Sequence, residues 1–444
     1  MTKAIFVLLV CSLATNLMPL VNVGVVLALI PLYWLARTKT PAGSDGPRFS
    51  PGLWVKAAYL YWISSFFLFT HSVEAFFSFD FLRRDGAILF AYLPLLLLCD
   101  YGWDQAFVQR LIHLFLWIMS AIAFFGAAQF SDAVGLAPGL SSLIPFPADL
   151  GQQSPLAGYI FYGLFQAHNS AGAVYAIAAL LALALLMFSE DPPRVFSVRS
   201  LWLAMTVIGL GMSKSRGAYV AFAIASILVF FRKRSDIRRA ARPLVAVLVP
   251  LLIALLMQPE IAGRVNMIGS GEEDPNVIER LDYARRALGY IGDSPIFGIG
   301  FGRFNDDGLQ FWGVPGVFYP AIGGVIVNND KHAHNSYLHF WAEGGLVGLA
   351  LMLGVWISVF RWSRDAQRHA SAAGLMQVLT RTIQAAVIVE LLLSLTEHQM
   401  NSAATTVPIF TFFGLLRNQG AAPVGEDAGQ DALPPLIAPA EELA

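Results

Sequence analysis

The residues with the clearest chemical potential lie in Lys331-His332-Ala333-His334-Asn335-Ser336-Tyr337-Leu338-His339-Phe340-Trp341-Ala342-Glu343-Gly344-Gly345-Leu346-Val347-Gly348. An imidazole can take or give a proton near neutral pH, so a positioned histidine is the usual general base. The stretch closes the longest hydrophilic segment and opens an apolar one, which puts His334 and Asn335 at a water–membrane boundary. Leu338, Trp341, Leu346 and Leu349 follow at helical spacing. Gly344 and Gly348, four apart, would let a neighbouring membrane helix approach closely. Two readings stand: His334 as a base, or Asn335 as a helix cap beside an interfacial histidine. A second pair, His168-Asn169, follows Gly163 and Phe165 at another boundary.

Cations at the same boundary suggest an anionic ligand. Arg83-Arg84 and Lys214-Ser215-Arg216 fall at the outer ends of apolar segments, where positive charge opposes the usual topology bias and needs a reason. They could snorkel to lipid headgroups, or clamp phosphate, which guanidinium groups bind bidentately. Asn276 to Ile291 reads as a helix with a capping box at Asn276 and Glu279 and an apolar stripe of Val277, Leu281, Ala284, Leu288 and Ile291. At about 100° per residue, Arg280 lies about 60° from the stripe's centre and Arg285 about 80° on the other side, with Arg286 opposite. Arg280 is thus expected to face the protein or membrane surface and Arg286 the solvent. The run Pro295-Ile296-Phe297-Gly298-Ile299-Gly300-Phe301-Gly302-Arg303-Phe304 could cradle a phosphate or form a tight turn with close backbone packing.

Other clusters are less promising. Asp306-Asp307 has no third acid at metal-like spacing. His332, His334 and His339 have no carboxylate at zincin spacing. Glu343, nine residues after His334, falls about 180° around an ideal helix and does not share its face. His71 and His398 read as interfacial.

The elements that must position these residues are membrane helices. The chain has 444 residues, 56% hydrophobic and 13% charged, the composition of an all-α polytopic membrane protein. With a net charge of -1, nothing points to nucleic acid. Cys11 and Cys99 lie in or at the end of apolar segments, which argues against a disulfide framework or a cysteine metal site. About twelve spans are expected, near 4–19, 21–36, 53–70, 86–100, 106–128, 171–188, 200–212, 217–231, 243–257, 337–360, 376–396 and 402–416. The first reads as a retained span, not a signal peptide. The chain divides into helices one to nine (1–257), a loop (258–336) that carries helices and site residues, helices ten to twelve (337–416), and a tail (417–444) whose Ala, Pro and acid content predicts disorder.

Lys and Arg fix the orientation. Arg232, Lys233, Arg234, Arg238, Arg239 and Arg242 share one side with Lys3, Arg37, Lys39, Arg48, Arg194, Arg199, Arg361, Arg364, Arg368 and Arg417. The short segments on the other side hold Arg83, Arg84, Lys214 and Arg216, and residues 131–170 hold no Lys or Arg. Both termini are then expected in the cytoplasm and 258–336 on the far side.

His334-Asn335-Ser336-Tyr337-Leu338-His339-Phe340-Trp341-Ala342-Glu343-Gly344-Gly345 resembles the signature of the O-antigen ligase / Wzy polymerase superfamily. Ser215-Arg216-Gly217, Arg280 with its helix, the Pro-x-x-Gly-x-Gly run and Gly163 to Asn169 are similar to further family elements. The resemblance spans roughly 80–350, and Tyr283 stands where the family usually has Trp. It implies a GT-C-like, metal-independent, inverting glycosyltransferase with no cofactor, working at the periplasmic face of a bacterial inner membrane on a glycan carried by undecaprenyl diphosphate. The acceptor would be lipid A–core for a ligase, a growing chain for a polymerase, or a protein for an oligosaccharyltransferase. On this resemblance His334 is the base and Arg216 and Arg280 hold the diphosphate. Arg83, Arg84 and Lys214 extend the clamp, and His168, Asn169, Asn335 and Arg303 line the substrate site. A transporter or flippase is the competing class. It would carry mid-membrane charge and paired broken helices, but the spans are nearly free of central charge, with Glu390 the main candidate exception.

Overall fold

The computed structural model describes residues 51–70, 105–143, 149–154, 158–165, 167–189, 197–231, 275–304, 317–319, 324–326, 332–369, 374–397, 400, 405–406 and 408–413. In chain order the elements are α1 (Pro51–Thr70), α2 (Gln105–Ala133), α3 (Leu140–Leu143), β1 (Gly151–Ser154), β2 (Gly158–Phe161), α4 (His168–Phe188), α5 (Val198–Met212), α6 (Arg216–Val229), α7 (Pro275–Asp293), β3 (Val317–Tyr319), β4 (Gly324–Ile326), α8 (Ser336–His369) and α9 (Leu375–Leu393). Helical backbone recurs at 405–406 and 408–413. Among the described residues, α2, α4, α8 and α9 are long and apolar enough to cross a membrane, and α5 and α6 are shorter apolar helices. The segments read as spans at 53–70, 106–128, 171–188, 200–212, 217–231, 337–360 and 376–396 all overlap helices. Those at 4–19, 21–36, 86–100 and 243–257, and the tail, lie outside the described residues.

The all-α expectation needs one amendment. Two short antiparallel ladders are present, β1 with β2 (Gly151 opposite Phe161) and β3 with β4 (Val317 opposite Ile326). The first docks on α2 through Phe161, which fills the space a side chain would need at Gly126: a Cβ there would lie 2.1 Å from the ring. Tyr162 N and Gly163 N both donate to Leu150 O, and the chain then enters α4.

Helix α4 is the axis of the bundle. From Ala171 to Phe188 every residue is buried, as expected of a helix apolar on all sides. Its many alanines keep it thin, so α5, α6 and α9 all pack on it. Helix α8 packs on α1, α7 and α9. Tyr61 of α1 lies over Gly344 and Gly348 of α8, within 3.5 Å of where either Cβ would sit. The small residues four apart do admit a neighbour.

Helix α8 breaks at Gly345, which has φ 61° and ψ -169°. A break leaves carbonyls orphaned before it and N–H groups orphaned after it. The segment 295–300 satisfies both sets. Ile299 N and Gly300 N donate to Ala342 O and Glu343 O, while Leu346 N and Val347 N donate to Pro295 O and Ile296 O. Tyr61 Oη donates to Gly344 O at 2.6 Å, and Trp341 Nε1 to Pro295 O at 3.0 Å. The approach is too close for side chains: a Cβ on Gly298 would stand 2.3 Å from Glu343 O, and one on Gly345 2.1 Å from Ile296 O. Glu343, buried, closes the tether by accepting from Phe304 N at 2.9 Å.

Candidate active site

Four chain segments meet at one end of the bundle: the first turn of α4, the turn 213–216 that begins α6, the residues entering α8, and the turn 394–397 that follows α9. Gly172 is the contact point between α4 and the 213–216 turn, since a Cβ there would lie 2.6 Å from Ser215 Cβ. Gly217 likewise faces Leu393 and Thr396. Ser336 N donates to Ser394 O at 2.9 Å, Asn335 Nδ2 to Leu395 O at 2.9 Å, and Ser336 Oγ to Glu397 O at 3.2 Å. Three helices start here, so their N-terminal dipoles favour negative charge at this end.

The carboxylate of Glu397 is the hub. Arg280 Nη2 donates to its Oε1 at 2.5 Å and Asn169 Nδ2 to the same oxygen at 2.7 Å. His334 Nδ1 lies 3.4 Å from Oε2. His168 is close enough for Glu397 and Arg280 both to act on its charge. Around His334 stand His332, with ring centroids 4.5 Å apart, and the buried Tyr283, at 5.3 Å. The His334 side chain is 20% exposed and that of Arg280 43%, so the cluster opens on one side.

His334 and Lys214 are the two non-glycine residues with positive φ among those described, at 45° and 54°. Such backbone is strained for a side-chain-bearing residue and persists where its surroundings over-determine it. For His334 the surroundings are the start of α8: Leu338 N donates to Asn335 Oδ1, and His339 N to Asn335 O. Asn335 is therefore a helix cap whose amide nitrogen also bonds Leu395, so both ends of the amide have protein partners.

Each expected residue can now be placed. His334, Arg280 and Asn169 meet at Glu397, with His168 beside them. Arg216 is the exposed first residue of α6, and Lys214 is half-buried in the turn before it. Arg303 belongs to the tether, beside Phe304. Arg83 and Arg84 lie outside the described residues. The glycine run is no phosphate cradle: the N–H groups of Gly298, Ile299, Gly300, Phe301, Arg303 and Phe304 all have acceptors within the protein. The apolar stripe was misplaced on α7. Leu281 and Leu288 are more than half exposed, whereas Tyr283, Ala287, Tyr290 and Ile291 are buried. Arg280, three before Tyr283 and seven before Ala287, lies on the buried side. Arg285 is exposed and Arg286 half-buried, and α7 begins at Pro275, one residue before the expected cap. Glu397 was missed; its one sequence signal is an acid just past the end of an apolar span.

Among the described residues, no group of three or more His, Cys, Asp or Glu is arranged to hold a metal ion. The O-antigen ligase (Wzy_C) family matches residues 200–353, which include Arg216, Arg280, Arg303, His334 and Asn335 and leave out His168, Asn169 and Glu397. No curated protein matches the chain. Residues 200–353 of this multi-pass membrane chain are thus similar to the O-antigen ligase family.

Proposed function

We propose that this protein is an O-antigen ligase in lipopolysaccharide biosynthesis. It transfers a glycan from undecaprenyl diphosphate to lipid A–core oligosaccharide at the periplasmic face of the inner membrane, by an inverting mechanism that needs no metal. The observation that carries this reading is the meeting of Arg280, Asn169 and His334 on one carboxylate, at an end of the bundle where three helices begin.

In the reaction, the acceptor hydroxyl oxygen attacks the anomeric carbon from the face opposite the diphosphate. The bond from that carbon to the diphosphate oxygen breaks and its electron pair leaves with the diphosphate. With Nδ1 turned towards Glu397, the Nε2 of His334 takes the hydroxyl proton. Arg280 and Arg216, helped by the helix N-termini, stabilise the charge that develops on the leaving group. Lys214, Arg83 and Arg84 extend that field outward. His168 and Asn169 border the sugar, and Asn335 fixes the backbone that aims His334. Arg303 acts from the tether.

Two observations favour a transporter: Glu390, buried within α9, and the break in α8, since transporter sites use broken helices. The break's freed groups, however, are bonded by the 295–300 segment rather than open to a ligand. Purified protein given undecaprenyl-diphosphate glycan and lipid A–core, with chelator present, is expected to form the ligated product. Glycan-to-glycan extension alone would favour the polymerase. No transfer to lipid A–core, glycan or protein would end the enzyme reading.

A further inference from the structure

The guanidinium assigned to the diphosphate already holds an anion of the protein's own. Glu397 holds Arg280 through Oε1 and faces His334 through Oε2. Its backbone is pinned on both sides: Glu397 N donates to Leu393 O at 2.9 Å, and Glu397 O accepts from Ser336 Oγ. The side chain can thus change partners while the chain stays fixed. A diphosphate that reaches Arg280 meets a carboxylate on the same guanidinium. Two anions on one guanidinium in a partly buried site repel each other, so one of them yields.

We propose that Glu397 is an exchangeable counter-ion that couples donor binding to the base, an inference that rests on the ligase reading above. The donor diphosphate takes Arg280 from Glu397. The freed carboxylate turns wholly to Nδ1 of His334 and fixes the ring with Nε2 towards the acceptor, as a carboxylate orients the histidine of a hydrolase triad. After transfer, Glu397 returns to Arg280 and helps expel undecaprenyl diphosphate. The base is therefore set only when a donor is present. Glu397 is a positioning residue: it acts through His334 and Arg280 and leaves the reacting atoms to others.

The test uses the full chain in lipid nanodiscs and separates binding from turnover. Glu397→Gln keeps the shape and the Asn169 contact but removes the charge. It is expected to bind undecaprenyl diphosphate about three- to tenfold more tightly, because the competing anion is gone, and to turn over roughly 10²-fold more slowly at saturating donor. Glu397→Asp, charged but one methylene shorter, should bind the lipid like the wild type and recover part of the turnover. Weaker lipid binding by Glu397→Gln would overturn the exchange and leave the carboxylate as scaffolding. Unchanged turnover would overturn the coupling to His334. If Glu397→Gln does not fold, the Asp variant decides alone: tighter lipid binding or full turnover would sink the proposal. Arg280→Ala guards the underlying reading, since wild-type affinity for undecaprenyl diphosphate in that variant would remove the diphosphate site itself, whatever Glu397 does.

Discussion

Two histidine–glutamate pairs with the same nitrogen–oxygen distance lie near the start of α8, one just before the helix and one within it. His334 Nδ1 stands 3.4 Å from Glu397, and His339 Nε2 stands 3.4 Å from Glu343. The first pair joins segments distant in the sequence, lies beside Arg280 and opens to water. The second is one helical turn of the same helix, 1% and 3% exposed, against the ring of Phe304. One pair faces a place where a substrate can arrive. The other holds the tether that closes the break at Gly345. Pair geometry alone does not make a catalytic centre; access, and a cation able to draw the carboxylate away, separate the two.

The sharpest way to break this comparison is to remove each imidazole in turn. His334→Ala is expected to lose about 10²–10⁴-fold in transfer rate while keeping its melting temperature and its binding of undecaprenyl diphosphate. A variant with near-normal turnover would make His334 a bystander, and one that folds yet binds no donor would move it into the diphosphate site. Next in size is Arg280→Ala, for which losing a charge-assisted contact to a desolvated diphosphate predicts roughly 2–5 kcal/mol, or about 30- to several-thousand-fold. Arg286→Ala should be milder, since Arg280 is the arginine that reaches Glu397, and Arg285→Ala, at an exposed position, mildest. A more sensitive Arg286 in transfer assays would mean that α7 presents a different face to the donor.

The tether should respond in stability rather than rate. Gly298→Ala adds a Cβ 2.3 Å from Glu343 O at φ 73°, and about 2–3 kcal/mol or more of destabilisation is expected, read as a lower melting temperature. His339→Ala should destabilise by roughly 1–3 kcal/mol, because the buried Glu343 loses a partner, with a rate per folded molecule close to wild type. If His339→Ala instead folded normally and lost transfer as His334→Ala does, the contrast between the pairs would collapse. The smallest effect belongs to Lys214→Gly. Relief of the positive φ should change stability by less than about 1 kcal/mol, so any loss of donor affinity reports the ammonium group alone.

How much of this was legible in the sequence depends on distance along the chain and on what lies outside each helix. His334, Arg280 and the pair His168-Asn169 were readable because local type and position mark them. Glu397 was not, because its partners are 117 and 228 residues away and nothing in the turn that carries it announces them. The α7 stripe failed for another reason: lipid is as apolar as a protein core, so hydrophobicity cannot say whether Leu281 and Leu288 point in or out. The Gly298–Gly302 run shows the opposite case. Close packing was one of its two readings, and the partner that demands it, the break in α8, is itself marked by Gly344-Gly345.

The position of Glu397 beyond α9 also sets a clock on biogenesis. Chains emerge from the N-terminus at about 5–20 residues per second, so Glu397 follows Arg280 by roughly 6–23 s of translation. Through that interval α4 and α6 can be inserted and α7 formed, but the carboxylate on which their polar ends converge does not yet exist. The nascent protein cannot complete its centre early, because completion waits for the four-residue turn that follows α9.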